Sequence, residues 1–399
     1  MDQPLDPAVA GRSLWRSPGL RRLVLLTLLG FSSFFLLLGS AASWAHTGGA
    51  GEGAAGLVTT VLLGCTVAVQ GVVPALLRRF GIGTVLVAGM LALGAAAPLY
   101  GVSADLPLLL CVSAVRGFGF AVLTVVGVTL TAVVAPPERR GESIGLYGLG
   151  IAVPNLFCVP AGVALTQAGH FPVVALLGAA PVLGIPLALS LGRAAELTDA
   201  HRPSGPAQVR SSWRTAARVA APSLVLLTVT LAAGGLVTFV PISRPTGATA
   251  PVALLVFGAS SALCRWRVGV FADRVGSPNL LPATLLTAVA GITIVAVGLR
   301  PGANSVVVYF GALLFGAGYG CVQNLTLVDA LARAGRTSIT IASATWNAAF
   351  DAGTASGAVA VGILAETGIG LPGALSLTGM LMAFALPLAA ARGDRPEAA

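Results

Sequence analysis

The sequence predicts an all-α integral membrane protein of about twelve transmembrane helices, built as two six-helix halves related by a pseudo-two-fold. Three observations carry this. Only 9% of the 399 residues are charged, against about 25% in a soluble domain, and mean hydropathy is +0.91. Apolar runs of about 20 residues, each long enough for a ~30 Å hydrocarbon core, recur along the chain. A pattern in the first half also returns in the second.

In lipid every backbone polar group needs an internal partner, so the runs must be helices or closed barrel strands. Barrel-type alternation is absent. The expected spans are 20–44, 54–77, 84–101, 106–135, 142–167, 172–192, 217–241, 250–272, 280–299, 304–332, 338–366 and 371–391. Arg16, Arg21 and Arg22 precede the apolar run of the first span, which ends near Ala41-Ala42-Ser43-Trp44-Ala45 and resembles a signal peptide with its cleavage site. A consistent charge pattern over twelve spans needs this segment retained as the first helix.

All 23 basic residues are Arg, and 18 of them fall before the first span, in the centre, after the last span, or on alternate connections between. The opposite connections hold only Arg244 and Arg300. The positive-inside rule therefore places both termini and the central loop in the cytoplasm. The net charge of +9 reports topology, so the basic pI does not point to nucleic acid.

The longest polar stretch divides the chain into an N-terminal six-helix bundle at 1–192, a linker at 193–216 and a C-terminal bundle at 217–399. The halves match at an offset of 195. Pro74 to Gly81 falls on Gly269 to Gly276, Ser143-Ile144 on Ser338-Ile339, and Gly162 on Gly357. Arg116-Gly117-Phe118-Gly119 mirrors Phe315-Gly316-Ala317-Gly318 at a slightly larger offset. Duplicated six-span units are a transporter construction with the substrate at the repeat interface near the midplane.

Gly269-x-x-Ala272-Asp273-Arg274-x-Gly276 resembles the loop signature of the major facilitator superfamily. That signature normally follows the second span, with a weaker copy after the eighth. In this chain the order is reversed, with Pro74 where Gly is expected and Arg78 where Asp is expected. Arg116-Gly117 resembles the family's intramembrane Arg motif. Pro136 to Gly141, with Arg139 and Arg140, is similar to the fourth-to-fifth connection of its bacterial efflux members. Val153-Pro154, with Gly162 beyond, stands where antiporters carry a Gly-Pro pair, and Trp346 to Gly353 resembles a segment of sugar-efflux-like members. The resemblance covers the whole chain. It implies alternating access in a bacterial cytoplasmic membrane, with gating roles for Gly269, Asp273, Arg274, Gly276, Arg78, Arg79 and Arg140. A carboxylate such as Asp273 can latch one conformation by capping a neighbouring helix N-terminus.

Mid-membrane ionisable groups are functional candidates, because an unpaired charge there costs at least ~2.5–3.5 kcal/mol. Arg116 has two readings. It is either an anchor for an anionic group (or a charge acting on a nearby carboxyl), or an arginine bonded to backbone carbonyls that ties helices together. Asp351, with Asn347 one turn away on the same helical face, is the carboxylate placed well inside a span. Desolvation favours its neutral form, which a proton carrier must reach; the other reading is a permanently bonded acid holding the halves together. The two are not expected to pair, since they belong to opposite halves. Arg265 and Arg267 read as snorkelling side chains. Phe34, Thr124, Tyr319, Gln323 and Asn324 are cavity candidates, with Gln70, Asn155 and Trp346 from the helices beside them; each serves either packing or ligand contact.

Cys65, Cys111, Cys158, Cys264 and Cys321 fall inside spans with no CxxC spacing, as buried thiols do. No metal site and no cofactor are expected. The absence of HExxH, GxSxG and Walker A sequences argues against an enzyme or an ATP-driven pump. The function this predicts is proton-coupled efflux of a small organic molecule by a secondary-active transporter, for which a monomer suffices. An uptake symporter for an organic anion or sugar, and a non-transporting membrane sensor, are the alternatives.

Overall fold

The computed structural model describes residues 17–134, 140–197, 215–275, 277–334 and 339–390. Twelve helices in it are long and apolar enough to cross a membrane. The first six are α1 (Pro18–Thr47), α2 (Glu52–Gln70), α3 (Ile82–Gly101), α4 (Leu106–Thr131), α5 (Gly145–Gln167) and α6 (Phe171–Ala195). The second six are α7 (Ala220–Ser243), α8 (Thr249–Gly269), α9 (Asn279–Gly298), α10 (Ser305–Ala334), α11 (Ile341–Ala365) and α12 (Gly370–Ala390). With an even number of spans the chain enters and leaves at one end, the terminal end; the other is the distal end. The spans overlap the sequence-based ones throughout.

Local signals explain the boundaries. Pro18 and Pro172 stand in the first helical turn, where a missing N–H costs nothing. Glu52 opens α2, matching an acid to the positive end of the helix dipole. Between α2 and α3 the copy of the loop signature forms a short helix, Val73–Phe80, stopped by Gly81 at φ 77°, a left-handed conformation that glycine adopts freely. In α7, Pro241 lies inside the helix and frees the carbonyl of Val237 from the ladder. That carbonyl faces Gly39, where α1 is interrupted.

The duplication is visible in the packing. A side chain on Gly162 of α5 would meet the carbonyl of Leu36 in α1, and one on Gly357 of α11 would meet that of Leu231 in α7. Both pairs differ by 195 residues. Gly117 of α4 sits against Leu62 of α2 as Gly316 of α10 sits against Phe257 of α8. Gly119 lies on Gly89 and Leu93 of α3 as Gly318 lies on Thr284 and Ala288 of α9. In apolar surroundings helices associate through close packing, which small residues permit. Each half is therefore knitted internally by the same glycine contacts.

Candidate functional site

The halves meet chiefly along two helix pairs, α2 with α11 and α5 with α8, and also where α7 crosses the end of α1. From the distal end inward, the first bond on the α2–α11 seam is the N–H of Gly53 donating to Glu366 Oε1 at 2.9 Å. Gly56 then lies against the carbonyl of Ala358, and the Thr60 hydroxyl donates to the carbonyl of Ala355 at 2.7 Å. Last, Gln70 Nε2 donates to Asp351 Oδ2 at 3.0 Å. Between α5 and α7, Gln167 at the end of α5 donates to the carbonyls of Pro241, at 3.3 Å, and Arg244, at 2.7 Å, at the end of α7. The distal end is thus closed. Toward the terminal end Gly145 and Gly148 of α5 meet nothing within 4 Å, and Leu149, Arg265 and Asn347 are exposed.

Asp351 lies at the point where the closed seam gives way to the open gap. It is roughly 15 Å from the start of α11 and roughly 21 Å from its end, at 1.5 Å per residue, and it is 8% exposed. Its bond to Gln70 joins the two halves, so two residues singled out separately in the sequence form one contact. Asn347 does not take part: its amide donates to the carbonyl of Ser343 at 2.9 Å and it faces solvent.

Behind Asp351 in the second half stand Tyr319 and Gln323 of α10, one turn apart and both buried. Tyr319 lies within electrostatic reach of both Asp351 and Arg265. Arg265 of α8 donates from Nη1 to Gln323 Oε1 at 2.7 Å. Asn324 Nδ2 donates to the backbone carbonyl of Arg265 at 3.0 Å and lies beside Gly269, while its Oδ1 is buried with no partner in the protein. Trp346 donates from Nε1 to Thr326 Oγ1 at 3.1 Å and stacks on Phe350. Gln70, Asp351, Tyr319, Gln323 and Arg265 thus bring groups from four helices and both halves to one region.

Arg116 lies elsewhere. It is fully buried inside the first half. Its Nη2 donates to the carbonyl of Ser33 at 3.1 Å and to Ser33 Oγ at 3.3 Å, and its guanidinium lies 5.5 Å over the ring of Tyr100. Tyr100 is held in turn by Ser113 at 2.7 Å, and Ser33 bonds the carbonyl of Gly178 in α6. The expected anion anchor is therefore not open to a ligand in this conformation, because Ser33 and Tyr100 enclose it. Arg116 and Asp351, as expected, do not meet.

Phe34 is buried in the first half, stacked on Phe120 at 3.8 Å, and Thr124 bonds the carbonyl of Ala121 in its own helix. Asn155 is exposed on α5, with Pro154 buried beside it. Arg78 and Arg79 are exposed at the end of the short helix, with Arg79 over Phe80 at 5.3 Å. Arg140, Asp273 and Arg274 are helical, with side chains outside the described part of the structure. Gly276 and Arg139 lie outside the described residues. Among the described residues no group of His, Cys, Asp or Glu is placed to hold a metal ion.

Sequence reasoning took Arg265 for a snorkelling side chain and missed Glu366 and Gln167. For Arg265 a signal existed: it lies seven residues after Gly258 and four before Gly269, on one helical face, and Gly258 meets Leu156 of the first half. An arginine on that face lies between α10, whose Gln323 it bonds, and the side of α8 that meets the first half. Nothing local marks Glu366 or Gln167, since each bonds a helix terminus distant in sequence.

Solved transporters share this architecture. A bacterial homolog of the human lysosomal transporter Spinster, inward-facing and occupied, is 16% identical with a TM-score of 0.75, covering 98% of this chain and 100% of that one. The nucleoside transporter NupG is 13% identical with a TM-score of 0.70, covering 93% and 97%. The peptide transporter POT, as a mutant in complex with alafosfalin, is 15% identical with a TM-score of 0.74, covering 95% of each chain. At such identities the likeness shows the fold. No curated protein sequence matches the chain. Residues 23–358, most of the chain, match the Major Facilitator Superfamily. On this match and the twelve-span fold in two halves, the chain belongs to the major facilitator superfamily, as a membrane transporter and not an enzyme.

Proposed function

We propose that the protein is a proton-coupled, secondary-active exporter of a small organic molecule, working by alternating access in a bacterial cytoplasmic membrane with both termini cytoplasmic. In that orientation the gap between the halves opens to the cytoplasm. The observation that carries the reading is the bond from Gln70 to Asp351. It puts a carboxyl group on the seam between the halves, near the middle of the span, where the closed and open regions meet.

The mechanism follows from what a carboxyl does on protonation. As a carboxylate, Asp351 only accepts hydrogen bonds; as the acid, one oxygen becomes a donor. Gln70 offers both an amide donor and a carbonyl acceptor, so it can meet either form with a changed geometry. A proton arriving at Asp351 thus rewrites a contact between the halves, and a switch between two arrangements can be driven only by such a difference in interaction. Substrate enters the gap, the halves rock about the α2–α11 and α5–α8 seams, and the distal bonds break to release it.

Purified protein in vesicles with an internal pH dye, an imposed proton gradient and a panel of amphiphilic compounds tests this. Proton movement triggered by a compound, and abolished in Asp351→Asn, is expected. Compound-driven flux that persists in that variant would show that the proton travels elsewhere. A second reading, uptake of an organic anion with a proton, is favoured by the exposed Arg265; the sign of the coupled flux separates the two.

A further inference from the structure

We propose that Arg265 is the docking point for an oxyanion, the carboxylate or phosphate of the transported molecule. The inference rests on the central gap being the transport path, and it holds for either direction of transport. Four observations carry it. Arg265 lies within α8, yet its side chain is exposed. Gly258, two helical turns earlier on the same face, meets Leu156 of the first half, so the exposure is toward the gap. Its one hydrogen bond from the guanidinium goes to the neutral carbonyl of Gln323 at 2.7 Å. Among the described residues, no carboxylate forms an ion pair with it.

Three other buried or half-buried arginines are held by groups of the protein itself. Arg116 is fully buried with its Nη2 on Ser33 and its guanidinium over Tyr100, although its Nε and Nη1 have no partner. Arg333 pairs with Asp329 at 2.8 Å, and Arg244 donates to the carbonyls of Gly298, Arg300 and Ala303. Arg267, two residues on, turns away and lies over Trp266 at 5.0 Å. Arg265 is held from behind by Gln323 and keeps four N–H groups for a ligand. A guanidinium presents a planar fork that matches carboxylate or phosphate in two parallel bonds. A cation at this depth without a counter-charge is costly, and an arriving oxyanion removes that cost.

The anchor is fixed in place. Asn324 bonds the backbone carbonyl of Arg265 at 3.0 Å, and Gln323, which accepts from its guanidinium, is itself buried. Such support from neighbouring groups holds a ligand-binding side chain in its working geometry. The apolar walls of the gap would take the organic part of the molecule, as in most small-molecule sites.

The test is thermal unfolding of the purified full-length protein, read by tryptophan fluorescence, with matched probes: benzoate, octanoate and phenyl phosphate against benzamide, octanamide and phenol. At least one acid should raise the midpoint where its neutral partner does not. Arg265→Gln should weaken that acid's apparent affinity at least tenfold, and Arg265→Lys should recover part of it. Arg267→Gln should leave it unchanged. Phosphatidylglycerol against phosphatidylcholine in the same assay distinguishes a lipid headgroup from a soluble acid as the source of the oxyanion. Equal stabilisation by acids and amides, no acid effect on the wild type, or acid binding unaltered in Arg265→Gln would each overturn the proposal. The transport reading fails separately. If Asp351→Asn binds the acid and no compound moves protons in the wild type, the anion site stands and proton coupling falls. If only neutral compounds drive proton flux, proton coupling stands and the anion site falls.

Discussion

The carboxylate of Glu366, just past the end of α11, accepts a hydrogen bond from the backbone N–H of Gly53 in the first turn of α2, at 2.9 Å. The first N–H groups of a helix have no partner within it, so a side chain of one half completes a helix of the other. Gln167 of the first half does the converse, giving its amide hydrogens to carbonyls at the end of α7 in the second. Both bonds must break for the distal end to open.

Removing the first should therefore favour the distally open state. Losing a side-chain cap costs a helix terminus ~0.5–2 kcal/mol, so Glu366→Ala should raise that population several-fold. Spin labels at Val102 and Thr246, exposed distal-end positions of the two halves, would report it in a background without the native cysteines. An unchanged distance distribution would mean that the bond holds nothing closed.

Arg116 gives a prediction about stability. Its burial against Ser33 and Tyr100 means that Arg116→Ala removes a charge-assisted bond, worth about 1.5–3 kcal/mol, and leaves a void. The unfolding temperature should fall by several degrees, while the substrate KM of the folded fraction stays within about twofold. A KM raised tenfold at unchanged stability would return Arg116 to the substrate path.

The cross-seam bond to Asp351 predicts a rate effect. Gln70→Ala leaves the buried carboxyl without its partner in the other half, a loss of order 1 kcal/mol. Because protonation of Asp351 acts through that contact, proton-driven turnover should fall by up to about tenfold. Stopped-flow dye measurements on vesicles would show this. A variant indistinguishable from wild type would mean the bond is incidental to switching.

Two sets of glycines should answer substitution oppositely. Gly357→Val forces a side chain onto the carbonyl of Leu231 and should cost ~1–3 kcal/mol or more, seen as loss of monodisperse protein. Gly148→Ala meets nothing within 4 Å and should raise helix stability by about 0.5–1 kcal/mol. Matched losses in both would contradict the packing described.

The spans and the halves were legible because hydropathy, charge placement and a repeat at fixed offset are local or periodic properties. Asp351 stood out for the same reason, a carboxyl far from any span end. Which groups meet it was not legible. Gln70 reaches Asp351 across 281 positions of chain, and that neighbour depends on how two helices of different halves are set against each other. Arg116 and Arg265 show the limit most clearly. Both are arginines inside apolar runs, and only the third dimension shows that Tyr100 covers one while the gap exposes the other. The loop signature is fully quotable as sequence, yet Gly276 lies outside the described residues.

The α2–α11 seam is lined with small groups, Gly53 against Gly362 and Gly56 against Ala358. Such a surface behaves as a bearing. Large side chains locked into sockets would have to be withdrawn before two helices could roll past each other, and each withdrawal would add to the barrier. Here the facing surfaces are nearly smooth, so resistance to motion is concentrated in the hydrogen bonds at Glu366, Thr60 and Gln70. A carrier made this way needs only a modest driving force to turn over, and its speed can be tuned by altering one polar contact without repacking a helix.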